Sequence, residues 1–196
     1  MPTGSGDRVE ALTILSEEEA NTIDAIAGRI IPGDAADPGA REAGATIYID
    51  RALGGFLREL RPFYRRAILG LDALTQERHG AAFADLETEA QDAVLADLER
   101  GGQGGTGDTE VRDVGWDEGS LLSTFFEVVR EHILQGTFGD PAYGGNRDLV
   151  GWRLLGFPGA RWGYTLEEMA PGVDARSLPV KSLADLRRER PWDDSE

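Results

Sequence analysis

The feature that most constrains this fold is the spacing of its apolar residues, which recur every three or four positions in one segment after another. That interval is the period of an α-helix, and no stretch alternates apolar and polar residues over a length that would make a β-strand. In the first such segment Ser16 and Glu19 have the spacing of a capping box, and Pro32 stops the helix. The chain is therefore predicted to be all-α, and the apolar positions of this first helix are Ile23, Ile26, Ala27 and Ile30.

Two further helices are predicted after a surface loop at residues 32–39, which has the proline, glycine and aspartate of tight turns. The first runs from about residue 41 to residue 60 and has a weak point at Gly54. The next begins at Pro62, because a missing amide hydrogen costs nothing in the first turn of a helix, and ends at Gly80. The predicted core positions of the earlier helix are Ile47, Ile49, Leu53, Phe56, Leu57 and Leu60.

Two more helices complete the predicted helical body. Thr88 and Gln91 have the spacing of a second capping box and open a short amphipathic helix. A central helix is predicted from residue 118 to residue 135, capped by Asp117 and stopped by Gly136, because its apolar residues cover more than one face. Together these segments predict a compact helical domain of about five to seven helices with a long irregular C-terminal third.

The domain boundaries follow from changes in composition along the chain. Residues 1–14 are predicted to be a flexible N-terminus, and residues 15–165 to be the helical domain. An insertion is predicted near residues 101–115, because five of its first seven residues are glycine and cannot hold an apolar face. Residues 166–196 are poor in large apolar side chains and are predicted to be an extended tail with one short helix near 182–190.

The net charge of −16, from 36 acidic and 20 basic residues, limits the partners of the chain. Such a charge repels both a phosphate backbone and an anionic membrane surface, so we expect neither nucleic acid nor membrane binding. No run approaches the roughly 18 apolar residues that a membrane-spanning helix needs. Cysteine is absent, which excludes disulfides, thiol nucleophiles and thiolate metal sites. The first residues lack the apolar core of a secretory signal, which predicts a cytoplasmic protein, or a periplasmic one if a signal was removed or lies on a partner.

Residue patterns that carry catalysis or bind cofactors are largely missing. No Gly-x-Ser-x-Gly motif occurs, and the glycine-rich segment lacks the lysine and hydroxyl residue of a phosphate loop. His132 stands beside Glu131, but a helical Glu-x-x-His metal motif would need glutamate in place of Val129. We therefore predict no catalytic, cofactor-binding or metal site. Two alternatives are kept: an acidic helical adaptor for another protein, and a stand-alone enzyme with a site at His132, Asp140, Tyr143 and Asn146.

Residues 138–159 differ in character from the rest of the chain, because they combine aromatic side chains with many glycines and prolines. This composition is typical of rigid loops and of the anchors of protein interfaces. The simpler interpretation is a local core that packs the last helices. We favour the interface, with the loops holding aromatic side chains against a partner.

The same region resembles a known family. The run Gly-Thr-Phe-Gly-Asp-Pro-Ala-Tyr-Gly-Gly-Asn at residues 136–146, followed by Gly-Trp at 151–152 and Gly-Phe-Pro-Gly at 156–159, resembles the signature of the gluconate 2-dehydrogenase subunit 3 family. The resemblance extends backwards to the start of the first helix and its proline-terminated loop, and to Gly-Ala at residues 44–45 with Tyr-Ile-Asp at residues 48–50. It spans about residues 15–164.

The resemblance implies an accessory role rather than catalysis. Members of this family are small subunits of bacterial dehydrogenases, and their large subunit is a glucose–methanol–choline type flavoprotein that oxidises sugars, polyols or sugar acids. The resemblance implies that this chain carries no cofactor, that it stabilises or matures an FAD-containing partner, and that some complexes include a cytochrome subunit. Many relatives begin with a twin-arginine export signal, which this sequence lacks.

We expect the aromatic residues near this motif to anchor on the flavoprotein, because they bury a large area while few rotatable bonds are frozen. The tail at residues 166–196 is expected to wrap the same partner and to order on binding. The predicted partner-binding residues are Phe138, Asp140, Pro141, Tyr143, Gly144, Gly145, Asn146, Trp152, Phe157, Pro158 and Trp162.

Overall fold

The structure is a computed structural model that describes residues 11–34, 36–102 and 118–189. Within these ranges the chain forms α-helices joined by turns and short 3-10 segments, with no β-strand, so the all-α prediction is confirmed. Asp117, most of the glycine-rich insertion and the last seven residues lie outside the described residues. The helices are α1 (Glu17–Ile30), α2 (Ala45–Gly54), α3 (Arg61–His79), α4 (Thr88–Gly102), α5 (Glu118–Phe138), α6 (Val150–Leu155) and α7 (Leu183–Glu189).

The ends of α1 and α3 confirm the local signals in the sequence. The Ser16 hydroxyl accepts a hydrogen bond from the Glu19 amide at 3.1 Å, and the Ser16 amide donates to the Glu19 carboxylate at 2.8 Å. Pro62 lies in the first turn of α3, and Gly80 ends that helix with a φ of 78°. The capping box and Gly80 satisfy backbone groups that a helix end would otherwise leave without partners, whereas Pro62 has no amide hydrogen that needs one.

The core is centred on α5, which packs against α1, α2, α3 and α4. Phe125 of α5 meets Tyr64 of α3 edge to face, with ring centroids 5.4 Å apart. This geometry places the positive edge of one ring against the negative face of the other. The predicted apolar positions of α5 are buried except for Leu134, which is exposed.

The helix predicted at residues 41–60 is shorter in the structure. It begins at Ala45 and ends at Gly54, and a separate 3-10 turn follows at Arg58–Leu60. Gly55 has a ψ of −112°, a non-helical conformation that interrupts the predicted helix. The predicted core position Phe56 was therefore wrong, since its side chain lies beyond this break and is 68% exposed.

The capping box predicted at Thr88 and Gln91 was also wrong. Thr88 is already the first helical residue, and Gln91 is buried, with its amide donating to the carbonyls of Phe83 and Ala84 at 3.1 and 3.4 Å. The glutamine therefore satisfies the turn that precedes α4 instead of the helix end. A buried side-chain amide without such partners would lower the stability of the fold by about 1–3 kcal/mol.

Gly136 does not stop the central helix, which continues to Phe138. A Cβ atom at Gly136 would lie 2.9 Å from the Cα of Ala45 and 3.0 Å from the Cβ of Tyr48. This glycine therefore lets the backbones of α2 and α5 approach closely. The sequence shows the glycine but not the neighbouring helix that requires it.

Asp50 of α2, one of the residues in the family resemblance, has a structural role that the sequence did not predict. Its buried carboxylate accepts hydrogen bonds from the amides of Thr13, Ile14 and Leu15, each at 2.9 Å, and from the Thr13 hydroxyl at 2.8 Å. Burial alone would raise the pKa of Asp50, but these hydrogen bonds outweigh it and hold the pKa below its usual value. The carboxylate fixes the chain just before α1.

None of the helices in the described part of the chain is long and apolar enough to cross a bilayer. The longest, α5, carries several charged residues along its length.

Candidate partner-binding surface

The signature region begins where the chain leaves α5 and turns back against it. The Asn146 amide donates to the Gly136 carbonyl at 2.7 Å, and the Arg147 amide donates to the Ala43 carbonyl at 2.9 Å. A Cβ atom at Gly145 would lie only 1.9 Å from the Gly136 carbonyl oxygen. The glycine is therefore required by backbone contact, and the loop is seated on the junction of α2 and α5.

Asn146 holds this loop together from inside. Its side chain is fully buried, its amide nitrogen donates to the Gly139 carbonyl at 2.8 Å, and its amide oxygen accepts from the Gly151 backbone at 2.9 Å. One side chain thus joins the end of α5 to α6. Asn146 also has a φ of 46°, a left-handed conformation that asparagine tolerates better than most residues.

After Arg147 the backbone returns to the left-handed region, with φ values of 54° at Asp148 and 61° at Leu149. A non-glycine residue in this region costs roughly 1–2 kcal/mol. Such strain is kept only where surrounding contacts determine the conformation. The buried Asn146 provides those contacts, and the result is a sharp turn that leads into α6, which packs against α5.

Trp152 is the second internal support. Its side chain is 5% exposed, and its indole nitrogen donates to the Phe138 carbonyl at 2.6 Å. Its ring meets the ring of Phe157 edge to face at 5.2 Å. Trp152 therefore supports the more exposed Phe157 from beneath and is not itself available at the surface.

Asp140 connects the loop to the C-terminal part of the chain. One carboxylate oxygen accepts from the Ala142 amide at 2.9 Å, and the other accepts from the Leu183 amide at the start of α7, at 2.8 Å. Both oxygens therefore have structural partners. The Asp140 side chain fixes the position of α7 relative to the Tyr143 turn.

The predicted partner-binding residues separate into an exposed and a supporting group. Tyr143, Phe157 and Trp162 are exposed, and Trp162 is 54% exposed. The supporting residues are the half-buried Phe138, Asp140, Pro141 and Gly144 and the buried Gly145, Asn146, Trp152 and Pro158. The surface that a partner can reach is therefore built from the first group and shaped by the second.

The exposed apolar surface is larger than the predicted set. Nine of the twelve large apolar side chains that are exposed in the described residues lie between positions 143 and 173. A soluble protein rarely concentrates exposed apolar side chains in one region unless they bind something. The residues that sequence reasoning missed are Leu154, Leu155, Tyr164, Leu166, Met169 and Val173.

The charge of this region sets it apart as well. Residues 136–189 contain seven acidic and seven basic residues, so the rest of the chain carries the whole net charge of −16. The cores of protein interfaces are depleted of charged residues. Exposed apolar side chains and charge neutrality thus coincide in the same segment.

Three of the four groups proposed for a stand-alone enzyme, His132, Asp140 and Asn146, make structural contacts, whereas Tyr143 is exposed. His132 is buried, its ring stacks on the Tyr64 ring, and its Nδ1 lies 2.7 Å from the Tyr64 hydroxyl. Burial lowers the pKa of His132, against the opposing effect of Glu131, so the imidazole is neutral near pH 7. Asp140 binds two backbone amides, as described above. Within the described residues, no group of three or more histidine and carboxylate side chains is arranged to hold a metal ion.

A comparison with models of known protein families gives a match to this chain. The family model described as Gluconate 2-dehydrogenase subunit 3 matches residues 17–159, well over half of the chain. No curated protein and no solved structure matches it. The matched range includes Tyr143 and Phe157 and ends before Trp162.

Proposed function

Because the chain belongs to the gluconate 2-dehydrogenase subunit 3 family, we propose that it is a non-catalytic accessory subunit that binds and stabilises a larger FAD-dependent dehydrogenase. The observation that carries this proposal is the pair of exposed aromatic side chains Tyr143 and Phe157 on a loop that is fixed from inside, with the exposed Trp162 shortly after that loop. Aromatic side chains supply most of the binding energy in many interfaces. A subunit whose task is attachment needs such a surface.

The rigidity of the loop supports the same proposal. Asn146 and Trp152 are buried and hydrogen-bonded within the chain, so the exposed rings are held in position before any partner arrives. Binding then freezes fewer rotatable bonds, which is the main way in which preorganisation raises affinity. The strained turn at Asp148 and Leu149 is consistent with a conformation kept for function.

The partner that fits best is the catalytic subunit of a sugar, polyol or glycoside dehydrogenase of the glucose–methanol–choline type. In this proposal the FAD belongs to that partner, and a cytochrome subunit receives electrons in complexes that contain one. The chain contributes helical mass and an apolar surface. The structural use of Asp140 and His132 supports a role without catalysis of its own.

A co-expression experiment tests the proposal. The tagged chain is co-expressed with its genomic neighbours and purified, and the eluate is read by flavin absorbance and mass spectrometry. We expect a yellow complex with the unaltered chain and loss of the flavoprotein with a combined Tyr143→Ala, Phe157→Ala and Trp162→Ala variant. The matched control is Phe56→Ala, because Phe56 is an exposed aromatic residue of the helical body.

Two outcomes would contradict the accessory role. One is a colourless chain that purifies without a flavoprotein under all expression conditions. The other is dehydrogenase activity of the isolated chain that disappears in an Asp140→Asn variant. Circular dichroism of each variant verifies that the helical body is intact.

A further inference from the structure

Residues 160–189, here called the C-terminal arm, are attached to the signature loop by backbone hydrogen bonds. The Ala160 amide donates to the Lys181 carbonyl at 2.7 Å, and the Lys181 amide donates to the Pro158 carbonyl at 3.2 Å. Gly159 and Lys181 form an isolated parallel bridge at the same place. Together with the contact from Asp140 to the Leu183 amide, these bonds fix both ends of the arm against the loop that carries Tyr143 and Phe157.

The arm is also held together internally. The Arg161 side chain is about nine-tenths buried, and its guanidinium donates to Glu168 at 2.9 Å and to the Pro179 carbonyl at 2.8 Å. Glu168 in turn accepts from the Thr165 amide at 2.9 Å, and the Glu168 amide donates to the Thr165 hydroxyl. The amide of Thr165, then the charge of Arg161, lowers the pKa of Glu168. The turns at residues 165–172 are therefore defined by specific contacts.

These contacts leave apolar side chains pointing to the surface. Leu166 is 84% exposed and Met169 is 59% exposed, and Val173 is exposed as well. The adjacent helix α6 adds the exposed Leu154 and Leu155. A well-defined turn that presents a leucine and a methionine to water has the character of a binding surface, since such side chains are otherwise buried.

Charge indicates which kind of partner covers this surface. The segment 136–189 is neutral, so the remaining residues carry a charge of −16. A second copy of the chain would bring another body of the same charge close, and like charges repel. A different protein with an uncharged apolar surface meets no such penalty. The family name itself describes one subunit of a larger assembly.

We propose that the C-terminal arm is a second docking surface for the same larger subunit, with Leu166 and Met169 as its apolar contacts and Asp140 as the positioning residue that aligns it with the Tyr143 loop. The inference rests on the proposed accessory function. It extends the contact surface beyond Trp162 to Leu166 and Met169, which lie past residue 159, the last residue matched by the family. The partner then contacts both the Tyr143 loop and the C-terminal arm, and Asp140 connects these two surfaces.

The test compares two kinds of apolar truncation. The double variant Leu166→Ser and Met169→Ser removes the apolar contacts of the arm without adding charge, and Leu69→Ser is the control, because Leu69 is 71% exposed on α3. Affinity for the purified flavoprotein is measured by biolayer interferometry. We expect the double variant to bind at least about tenfold more weakly and the Leu69 variant to bind as the unaltered chain does, in line with the usual effect of interface truncations.

Hydrogen exchange supplies a second measurement that separates positioning from general stability. In the free chain, Asp140→Ala should speed exchange of the amides at 182–186 and leave α5 unchanged, because the Leu183 amide loses its acceptor. In the complex, the amides at 164–173 should be protected. Unchanged affinity of the double variant, together with no protection at 164–173, would overturn the arm proposal and leave the accessory function standing.

Failure of the accessory function has a different result. If the unaltered chain does not bind the flavoprotein, both proposals are wrong. If the arm instead mediates a homodimer, light scattering would report twice the mass for the free chain and the chain's mass for the double variant. That outcome would also overturn the arm proposal.

Discussion

Replacing Asp50 by alanine tests whether its carboxylate stabilises the helical body by holding the residues before α1. The substitution removes four hydrogen bonds to one carboxylate, three from consecutive amides at residues 13–15 and one from the Thr13 hydroxyl. Hydrogen bonds to a charged group contribute about 1.5–3 kcal/mol each, so their sum is an upper limit of about 6–12 kcal/mol. Thr13 is exposed and can turn to water, which reduces this limit.

The contact that cannot be replaced easily is the one to Leu15. The hydrogen bond from the Leu15 backbone amide to Asp50 is buried, and an unsatisfied buried donor costs about 1–3 kcal/mol. Detaching residues 13–15 also uncovers the Leu15 side chain, which adds about 1–2 kcal/mol. We therefore expect Asp50→Ala to lower the free energy of unfolding by about 3–4 kcal/mol, which is roughly 6–16 °C in Tm for a chain of this size.

Urea unfolding followed by far-ultraviolet circular dichroism measures this effect. Thr13→Val is the matched control, because it removes the hydrogen bond from the hydroxyl and keeps the three hydrogen bonds from the backbone amides. We expect it to lower the free energy of unfolding by about 1 kcal/mol. Asp50→Asn should fall between the two variants, since one amide oxygen can still accept from Ile14 and Leu15. A cost below about 1 kcal/mol for Asp50→Ala, no larger than that of Thr13→Val, would refute the reasoning.

The remaining predictions concern pH, packing and the loop. The pKa of Asp50 is lowered on folding. The contribution of its carboxylate to the free energy of unfolding is therefore complete above the unfolded pKa of about 3.9 and is lost as the pH falls below that value. In urea titrations, the difference in stability between the unaltered chain and Asp50→Asn should shrink between pH 5 and pH 2. Gly136→Ala should cost about 2 kcal/mol in the same assay, because its Cβ would meet Ala45. Asn146→Ala should cost about 3 kcal/mol and weaken flavoprotein binding in pull-downs, since two buried hydrogen bonds are lost. Tyr64→Phe should cost about 1 kcal/mol in thermal unfolding, because His132 loses its partner.

Local signals explain why so much of the fold could be predicted from the sequence. The capping box at Ser16, Pro62 near the start of α3 and the left-handed Gly80 act within a few residues of themselves. Such signals need no knowledge of the neighbouring helices. The helical spacing of apolar residues then identifies the faces that pack against α5.

Long-range contacts explain the errors. Glycine is the residue type that most often ends a helix, but the role of Gly136 is set by its contact with Ala45, which lies about ninety positions earlier in the chain. Gln91 binds the preceding turn instead of capping its own helix. Asp50 stands on a largely apolar helix, and the amides that it binds are more than thirty positions away. No local pattern shows these partners.

The candidate surface was located by composition, but its exposed residues could not be separated from its supports. Trp152 and Trp162 are the same residue type ten positions apart, yet one is buried and the other is 54% exposed. Leu166 and Met169 were not predicted, because an isolated apolar residue in a polar tail gives no sign of its environment. Their exposure follows from the turn that Arg161 and Glu168 fix.

The close backbone contacts of the glycines divide the surface into positions that can change in evolution and positions that cannot. A side chain at Gly145, Gly151 or Gly159 would collide with a carbonyl oxygen at 1.9–2.1 Å, so mutation there damages the loop itself. Tyr143 is 58% exposed, so it can be exchanged without such damage. A lineage can therefore adapt this subunit to a new partner by changing the exposed rings while the glycine framework is inherited unchanged.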